Sequence, residues 1–156
     1  MKIVFFTFYY PPDLSAGSFR AIALAQALSE RMDGGELHII TTHPNRYENH
    51  RVKADNFEIQ ENIIVHRISV PSHKSGMLLQ ARSFITYALA SYKLSNNLNP
   101  DFLIGTTSRL MTGLLTGILA RKLGRKYFID LRDIFSAVSY THLRAHETPE
   151  HLVCRL

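Results

Sequence analysis

Cysteine and tryptophan are nearly absent from this chain, which has one cysteine and no tryptophan in 156 residues. The lone cysteine, Cys154, excludes a disulfide within the chain and has no C-x-x-C partner for a structural zinc site. No stretch reaches the roughly 18 uninterrupted apolar residues that a membrane span needs. The opening MKIVFFTFYYPP has no signal-peptide cleavage site, and its short apolar run ends at Pro11. These absences favour a cytoplasmic protein.

Positive charge is in modest excess: the chain has 18 Lys and Arg against 13 Asp and Glu, which gives a net charge of +5. The basic residues stand singly rather than in runs, so the sequence does not indicate a nucleic-acid groove. A mild attraction for anionic substrates or for the inner face of the membrane fits this charge. We therefore expect no nucleic-acid partner, and a peripheral position on the inner face of the membrane stays open.

The end of the chain concentrates residues of the types that bind metals, namely His142, His146, His151 and Cys154. Pro149 would break a helix that carried the second half of this set. Residues 138–148 can be encoded by the transposon adapter used in building sequencing libraries, and residues 151–156 by its flow-cell end. We therefore interpret 138–156 as an artefactual, disordered tail without a metal site, and 1–137 as one domain.

Short apolar runs alternate with helical periods along this domain. Runs such as KIVFFTF (2–8) and ELHIITT (36–42) lack polar alternation, which is typical of strands buried on both faces. Similar runs predict strands at 102–107 and 126–131, with a short strand pair at 57–59 and 63–70. Strands joined by crossover helices run parallel, and right-handed crossovers cover both faces of the sheet. The predicted fold class is α/β, a Rossmann-like parallel sheet with helices on both faces.

Serine and glycine residues mark the ends of three predicted helices. Ser18 is expected to cap the first helix, which ends at residues 34–35, while Ser75 and Ser108 are expected to cap the second and third. Gly113 and Gly117 lie within the third helix, where each costs about 1 kcal/mol relative to alanine. We expect these two glycines to let the helix lie close to the sheet.

The second helix has two interpretations. Its apolar residues share one face, which we expect to pack on the sheet. This face consists of Leu78, Ala81, Ile85, Ala88, Leu89 and Tyr92. Because Lys74 and Arg82 flank this face, it also fits an interfacial helix that meets a lipid-linked acceptor. Packing on the sheet is the commoner use of such a face.

Three loops are expected to meet at the carboxyl ends of the strands, where open parallel sheets bind their ligands. The first offers small residues before a helix N-terminus, a combination that suits a phosphate or a sugar. The second is again small and hydroxyl-bearing, and the third brings charged residues out of a buried strand, including Arg132 and Asp133. The candidate substrate-binding residues are Ser15, Ala16, Gly17, Ser18, Thr106, Thr107, Ser108 and Asp130.

Each candidate also has a structural interpretation. Gly17 fits a tight turn, Ser18 and Ser108 fit helix caps, and Arg132 beside Asp133 fits an ion pair. Tyr9 and Tyr10 fit packing at a strand end as well as stacking on a ligand. The five remaining histidines have no partner at ligand spacing and are taken as structural or solvated: His38, His43, His50, His66 and His73.

The order of these segments resembles glycosyltransferase family 4. FFTFYYPPDLSAGSFRAIALAQALSE is similar to the family's opening strand, Y/F-P-P, glycine turn and helix, although Gly17 stands where many members have two glycines. ELHIITT matches the following strand. PDFLIGTTSRLMTGLLTGILARKLGRKYFIDLRDIF is similar to the end of the family's amino-terminal domain, where members show D-x-R-D-L-W-P. Phe135 and Ser136 replace the Trp and Pro of that motif.

The resemblance covers residues 1–137 and implies the amino-terminal, acceptor-side half of a retaining GT-B enzyme. Such an enzyme moves a sugar from a nucleotide-sugar to a glycan or lipid-linked acceptor, commonly in surface polysaccharide synthesis, without a metal or another cofactor. Arg132 and Asp133 match the D-x-R-D motif and are the expected catalytic residues, which would position the acceptor hydroxyl or the transferring sugar. The family's E-x(7)-E motif belongs to the donor domain and is absent from 1–137, so this fragment is expected to be inactive.

Two other functions fit the same fold class. An NAD-dependent oxidoreductase would need G-x-G-x-x-G after the first strand and an acid at the end of the second. The first loop has one glycine, and the second strand ends in Thr41, Thr42 and His43. A non-catalytic binding module is the other alternative.

Overall fold

The computed structural model describes residues 1–44, 54–71, 77–107 and 109–131. These residues form six strands and three helices. The elements are β1 (Lys2–Phe6), α1 (Ala16–Ser29), β2 (Glu36–Thr42), β3 (Phe57–Gln60), β4 (Ile63–Ile68), α2 (Met77–Leu98), β5 (Phe102–Thr106), α3 (Leu110–Leu123) and β6 (Lys126–Asp130).

The strands form one sheet in the order β3-β4-β2-β1-β5-β6. β1 lies in its centre, where Ile3 pairs with Leu37 of β2 on one side and with Phe102 of β5 on the other. All neighbours are parallel except β3, which pairs antiparallel with β4 across the turn at Glu61 and Asn62. The predicted Rossmann-like α/β fold is confirmed, with β3 as an antiparallel edge strand.

Helices cover both faces of the sheet, so each central strand contributes alternate residues to two cores. Under α1, Ala21 and Ala25 pack on a cluster that includes Phe5 and Ile39. Under α2 and α3, a second cluster is built from Val4, Phe6, Phe8, Ile40, Tyr87, Leu103, Leu115, Leu119 and Ala120. The apolar runs of β1 and β2 are therefore buried on both faces, as predicted.

The cap of helix α1 lies three residues before Ser18. Ser15 has an extended backbone, and its hydroxyl accepts a hydrogen bond from the Ser18 N–H at 3.1 Å, so Ser15 is the cap. The predicted cap at Ser18 is wrong because Ser18 already lies in the first turn, with its side chain buried against the sheet. The helix ends at Ser29, before the glycines at 34–35.

Helix α2 buries only part of the predicted face: Ala88 and Tyr92 pack on the second cluster, whereas the other four residues of that face are exposed. Tyr87 and the serines at 83, 91 and 95 are fully buried, whereas Leu78, Ile85 and Leu89 are exposed. The serines lie four and eight residues apart, and their small side chains let the helix approach the sheet. Ser83 donates its hydroxyl to the Leu79 carbonyl at 3.0 Å, which satisfies it without a solvent contact.

The glycines of α3 do not share one role. A Cβ on Gly113 would lie 2.9 Å from Thr107 Cγ2 and 3.4 Å from Ile129 Cγ2, so this glycine does allow close packing on the sheet. No described atom lies within 4 Å of a Cβ built on Gly117, so the same expectation for Gly117 is wrong. Gly124 ends the helix in the left-handed conformation with φ 64°.

The predicted cap of α3 at Ser108 is wrong, because the N-cap of this helix is Arg109, which has an extended backbone. Several other predictions fall outside the described residues. These include the cap at Ser75, Ser108 as a substrate-binding residue, the catalytic candidates Arg132 and Asp133, and the adapter-like segment 138–156. They stay predictions.

Candidate functional site

The site lies where the chain leaves β1 and β5, two neighbouring strands in the centre of the sheet. The loop after β1 leads to α1 on one face, while the loop after β5 leads to α3 on the other. This divergence opens a crevice at the carboxyl ends of the two strands, which is where open α/β sheets bind ligands. β6 lies beside β5 and delivers Asp130 to the same rim.

Threonines at the end of β2 hold the loop after β1. The Thr42 hydroxyl donates to the Phe8 carbonyl at 2.8 Å, and the Thr41 hydroxyl donates to the same oxygen at 3.4 Å. The Thr7 hydroxyl donates to the Tyr9 carbonyl at 2.9 Å. These bonds fix the backbone from which Tyr9 reaches the crevice.

Arg67 of β4 anchors the next part of this loop. Its side chain is buried and donates to the Pro11 carbonyl at 2.9 Å, while the same nitrogen pairs with Glu58 at 2.8 Å. Tyr10 is buried nearby, and burial together with the Glu58 charge raises the pKa of its hydroxyl to about 12. Tyr10 is therefore a neutral packing residue, as expected for an aromatic at a strand end.

The first predicted loop forms the N-terminus of α1. Ser15 is buried as the cap, Ala16 is exposed, and Gly17 is half-buried. The Ser18 side chain is fully buried, and its hydroxyl has no hydrogen-bond partner among the described residues. Ala16 and Gly17 therefore lie at the accessible part of this terminus, and the positive dipole end of a helix favours anions.

Arg109 is a site residue that the sequence reading missed. Its guanidinium carbon lies 4.1 Å from the centre of the Phe8 ring, and Nη2 donates to the Tyr9 hydroxyl at 3.1 Å. A cation stacked on an aromatic ring and held by a phenol is fixed in orientation. The available signal was an arginine directly after the small residues that end β5.

The second and third loops meet through backbone and side-chain bonds. The Thr107 N–H and hydroxyl donate to the Asp130 carbonyl at 3.0 and 3.3 Å. Thr106, which pairs with Asp130 across the strands, has a buried hydroxyl without a partner in the described part of the chain. The structure therefore brings together Thr106, Thr107 and Asp130, as the sequence predicted.

Asp130 is engaged by Arg20, a second basic residue that the sequence reading missed. Arg20 projects from the first turns of α1, and its Nη2 and Nε bind the two Asp130 oxygens at 2.6 and 3.1 Å. The Asp130 side chain is only 12% exposed, whereas that of Arg20 is 58% exposed. The bridge links the first and third loops across the carboxyl end of β5.

The chemistry of the rim is that of anion and hydroxyl recognition. It combines a helix N-terminus, two guanidinium groups and one carboxylate. Among the described residues, no three His, Cys, Asp or Glu side chains lie close enough together to bind a metal ion. Within the same residues, no helix is both long and apolar enough to cross a membrane.

An apolar groove of about 800 Å³ runs from the rim along the outer side of α3 and β6. Thr107 and Leu131 lie at its rim end. Its walls are largely exposed apolar side chains, namely Leu110, Met111, Leu114, Ile118 and Tyr127. Because β6 is the last strand of the described sheet, this groove follows an edge that is apolar on the α3 side.

Comparisons with known proteins establish the fold only. No protein-family model matches the chain, and no curated protein sequence matches it. Among solved structures, sucrose-phosphate synthase from Thermosynechococcus elongatus is similar with a TM-score of 0.67 and 10% identity. The match covers 99% of this chain and 37% of the synthase, so the chain spans little more than a third of that protein.

A second similar structure is the carboxy-terminal domain of a hydrogenase from Pyrococcus furiosus, with a TM-score of 0.54 and 12% identity. That match covers 83% of this chain and 90% of the hydrogenase domain. The chain therefore has a Rossmann-like α/β fold that is similar to one domain of a glycosyltransferase and also to a domain of a hydrogenase.

Proposed function

We propose that this chain is the acceptor-side domain of a retaining GT-B glycosyltransferase that uses a nucleotide-sugar donor and a glycan or lipid-linked acceptor. The observation that carries the proposal is the rim, where the α1 N-terminus, Arg109 and the Arg20–Asp130 pair meet at the β1–β5 crevice. A nucleotide-sugar offers two groups that these residues recognise, a diphosphate and sugar hydroxyls. The domain-level similarity to sucrose-phosphate synthase supports the same assignment.

In this proposal, the Gly17 turn at the α1 N-terminus approaches the donor diphosphate from the acceptor side. Stabilisation of the departing nucleoside diphosphate comes from preorganised positive dipoles and basic side chains. Arg132 or Asp133 positions the acceptor hydroxyl or the transferring sugar, since both residues follow Asp130 and Leu131 in the sequence. Surface polysaccharide synthesis is the proposed setting.

The edge at β6 supports a larger catalytic unit. Strands in parallel sheets are normally covered on both faces, yet Tyr127 and Phe128 point to opposite faces of β6 and are 51% and 55% exposed. A further strand and helix would cover these side chains and the groove beside α3. We infer that the donor-binding half belongs to the same enzyme, and that this chain alone does not turn over substrate.

The test is a thermal-shift titration of the 156-residue chain with a panel of nucleotide-sugars and with NAD. At least one nucleotide-sugar is expected to stabilise the chain, and Arg109→Gln is expected to lose most of that shift. Arg31→Gln is the matched control, because Arg31 lies two residues beyond the far end of α1 and its side chain donates to the Ala27 carbonyl. Equal shifts in both variants would refute the assigned site.

An NAD-dependent oxidoreductase is the second candidate, and the likeness to a hydrogenase domain favours its fold. The structure supplies a counter-observation at the end of β2, where such enzymes place an acid for the ribose. Thr41 and Thr42 occupy this end and direct their hydroxyls to the Phe8 carbonyl. Stabilisation by NAD alone would replace the transferase proposal. An uninterrupted gene that encodes no second Rossmann-like domain would favour a binding module.

A further inference from the structure

Strand β6 and the outer side of α3 form one exposed apolar surface, which we call the β6–α3 face: Leu110, Met111, Leu114, Ile118, Tyr127, Phe128 and Leu131. Among the described strands, β6 pairs only with β5 and is the last strand of the sheet. The β6–α3 face differs from the exposed apolar side of α2 because it includes a strand at the sheet edge. It therefore offers both a helix surface and a strand that can pair with another.

The residue order of β6 suits pairing with an antiparallel copy of itself. In an antiparallel pair centred on Phe128, Lys126 lies opposite Asp130 of the second copy, and Tyr127 lies opposite Ile129. Each of these pairs occurs twice because the arrangement is two-fold symmetric. Opposite charges, an aromatic residue opposite a β-branched one, and Phe128 opposite its own copy all stabilise antiparallel pairs. Asp130 keeps its bond to Arg20, so Lys126 would join an existing ion pair.

The contacts of β6 show which side of the sheet each of its residues faces. Asp130 binds Arg20 of α1, so Phe128 and Lys126, which alternate with the groove residues, lie on the α1 side. Tyr127 and Ile129 line the groove beside α3. A two-fold axis perpendicular to the sheet reverses the strand direction but keeps each side of the sheet together. The groove of one copy would therefore join the groove of the other.

Helix α3 is placed so that the same axis brings it against its own copy. A Cβ on Gly113 would lie 3.4 Å from Ile129 of β6. A Cβ on Gly105 of β5 would collide with Thr116, so α3 lies over the β5–β6 pair. Because neighbouring strands are about 4.8 Å apart, the β5–β6 pairs of two joined copies would be centred about 10 Å apart. Packed helices lie about 8 to 10 Å apart, so the two α3 helices would bury their exposed apolar residues against each other.

We infer that two copies of this chain join through the β6–α3 face, with antiparallel β6 strands centred on Phe128 and the two α3 helices packed side by side. The proposed transferase covers this edge with a further strand and helix, and in the dimer the second copy supplies both. Elements that follow β6 in a longer enzyme would compete for the same edge, so the dimer belongs to the 156-residue chain. Its formation needs no nucleotide and does not depend on glycosyl transfer.

Sedimentation equilibrium of the 156-residue chain without nucleotide tests the inference, and a dimer is expected. Ile118→Glu is expected to weaken the dimer about a hundredfold, because it places a carboxylate from each copy in the apolar contact. Ile85→Glu of α2 is the matched control and is expected to leave the dimer intact. The two isoleucines are 55% and 56% exposed, so both variants should fold, which urea unfolding checks. A monomeric chain, or equal loss of the dimer in both variants, would overturn the inference.

Thiol cross-linking tests the register of the two strands. In a Cys154→Ser background, Phe128→Cys is expected to give a disulfide-linked dimer when oxidised glutathione is added, because this position faces its own copy. Lys126→Cys is the matched control on the same strand and the same side of the sheet. This position would lie about 14 Å from its own copy and is not expected to cross-link. Linking through position 126 rather than 128, or through neither, would refute the antiparallel pairing.

The outcomes for the dimer and for the transferase can be told apart. A dimer that no nucleotide-sugar stabilises would leave the inference standing and remove the transferase proposal. A monomer that a nucleotide-sugar stabilises would do the opposite. A dimer that Ile85→Glu dissociates and Ile118→Glu does not would place the contact on α2, which would also overturn the inference.

Discussion

Arg20 donates hydrogen bonds to both carboxylate oxygens of Asp130, which lies 110 positions later in the sequence. This bidentate pair joins α1 to β6, the last described strand, at the rim. The Asp130 side chain is only 12% exposed, so this pair is partly shielded from water.

Breaking this pair is expected to destabilise the fold modestly. We expect a double-mutant cycle with Arg20→Gln and Asp130→Asn to give a coupling energy of about 1 kcal/mol, the upper range for a partly exposed pair. Urea unfolding of the four proteins measures it. Additive effects of the two substitutions would show that the bridge contributes nothing to stability.

The two serines in the first turn of α1 are expected to respond in opposite ways. Ser15→Ala removes the cap of the Ser18 N–H and should cost about 1 kcal/mol of unfolding free energy. Ser18→Ala removes a buried hydroxyl that has no partner in the described structure, so stability should stay the same or rise slightly. Chemical denaturation of both variants checks this ranking.

The opposite ranking would return the cap to Ser18. A third outcome is informative about function, since Ser18→Ala could leave stability unchanged and still weaken binding of a nucleotide-sugar. That result would assign the buried hydroxyl to the ligand.

Gly105 in β5 and Gly117 in α3 are expected to respond in opposite ways to substitution by alanine. A Cβ on Gly105 would collide with Thr116, including its Cβ at 2.8 Å, so Gly105→Ala should cost about 1 to 3 kcal/mol. Gly117→Ala meets no described atom and removes a poor helix former, so it should add about 1 kcal/mol. Thermal and urea unfolding measure both changes, and a loss of stability in Gly117→Ala would contradict the open space seen there.

Stability is expected to fall in mild acid because of two stacked histidines on β2 and β4. His38 Nδ1 and His66 Nε2 lie 3.0 Å apart, and His38 Nε2 faces Glu36 at 3.2 Å. This arrangement assigns His38 as donor to Glu36 and acceptor from His66. Burial, followed by the nearby His38, lowers the pKa of His66 to about 4, while burial also lowers the pKa of His38.

In the unfolded chain His38 and His66 bind protons near pH 6.5, whereas in the folded chain they bind protons only at lower pH. Stability is therefore complete above about pH 6.5 and falls as the pH drops towards 4. Urea unfolding across this range should show the slope, and His66→Gln should flatten it. His43→Gln is the control, because His43 bonds Asn56 away from the pair. An unchanged slope in His66→Gln would reject the assignment.

Sequence reasoning recovered the sheet because its signals are local. The apolar runs of β1 and β2 could only be strands buried on both faces, and the helical periods between strands required parallel pairing. The meeting of Thr107 and Asp130 at one rim followed from that topology without any knowledge of side-chain positions.

The rotation of α2 could not be predicted in the same way. Hydrophobicity favoured the face of Leu78, Ile85 and Leu89, yet the structure buries the serines at 83, 91 and 95 together with Tyr87. Serine reads as polar in sequence, although its hydroxyl can bond a carbonyl four residues earlier and its small volume suits close packing. The choice depended on the shape of the sheet beneath the helix.

Arg109 and Arg20 were missed for a related reason. Their roles depend on partners 100 and 110 positions distant, Tyr9 and Asp130, which only the folded topology brings near. Neither arginine belongs to a motif that a spacing rule would detect.

The two edge strands of the described sheet, β3 and β6, would affect the association of copies of this chain in opposite ways. β3 carries exposed Phe57 and Ile59, but it is only four residues long and bears Glu58, next to Glu61 in the turn; short edge strands and charges both discourage a neighbouring strand. β6 is the last strand of the described sheet and exposes aromatic side chains, which favours pairing with another strand. With one receptive border and one protected border, association through strand pairing would stop at pairs and would not grow into fibres.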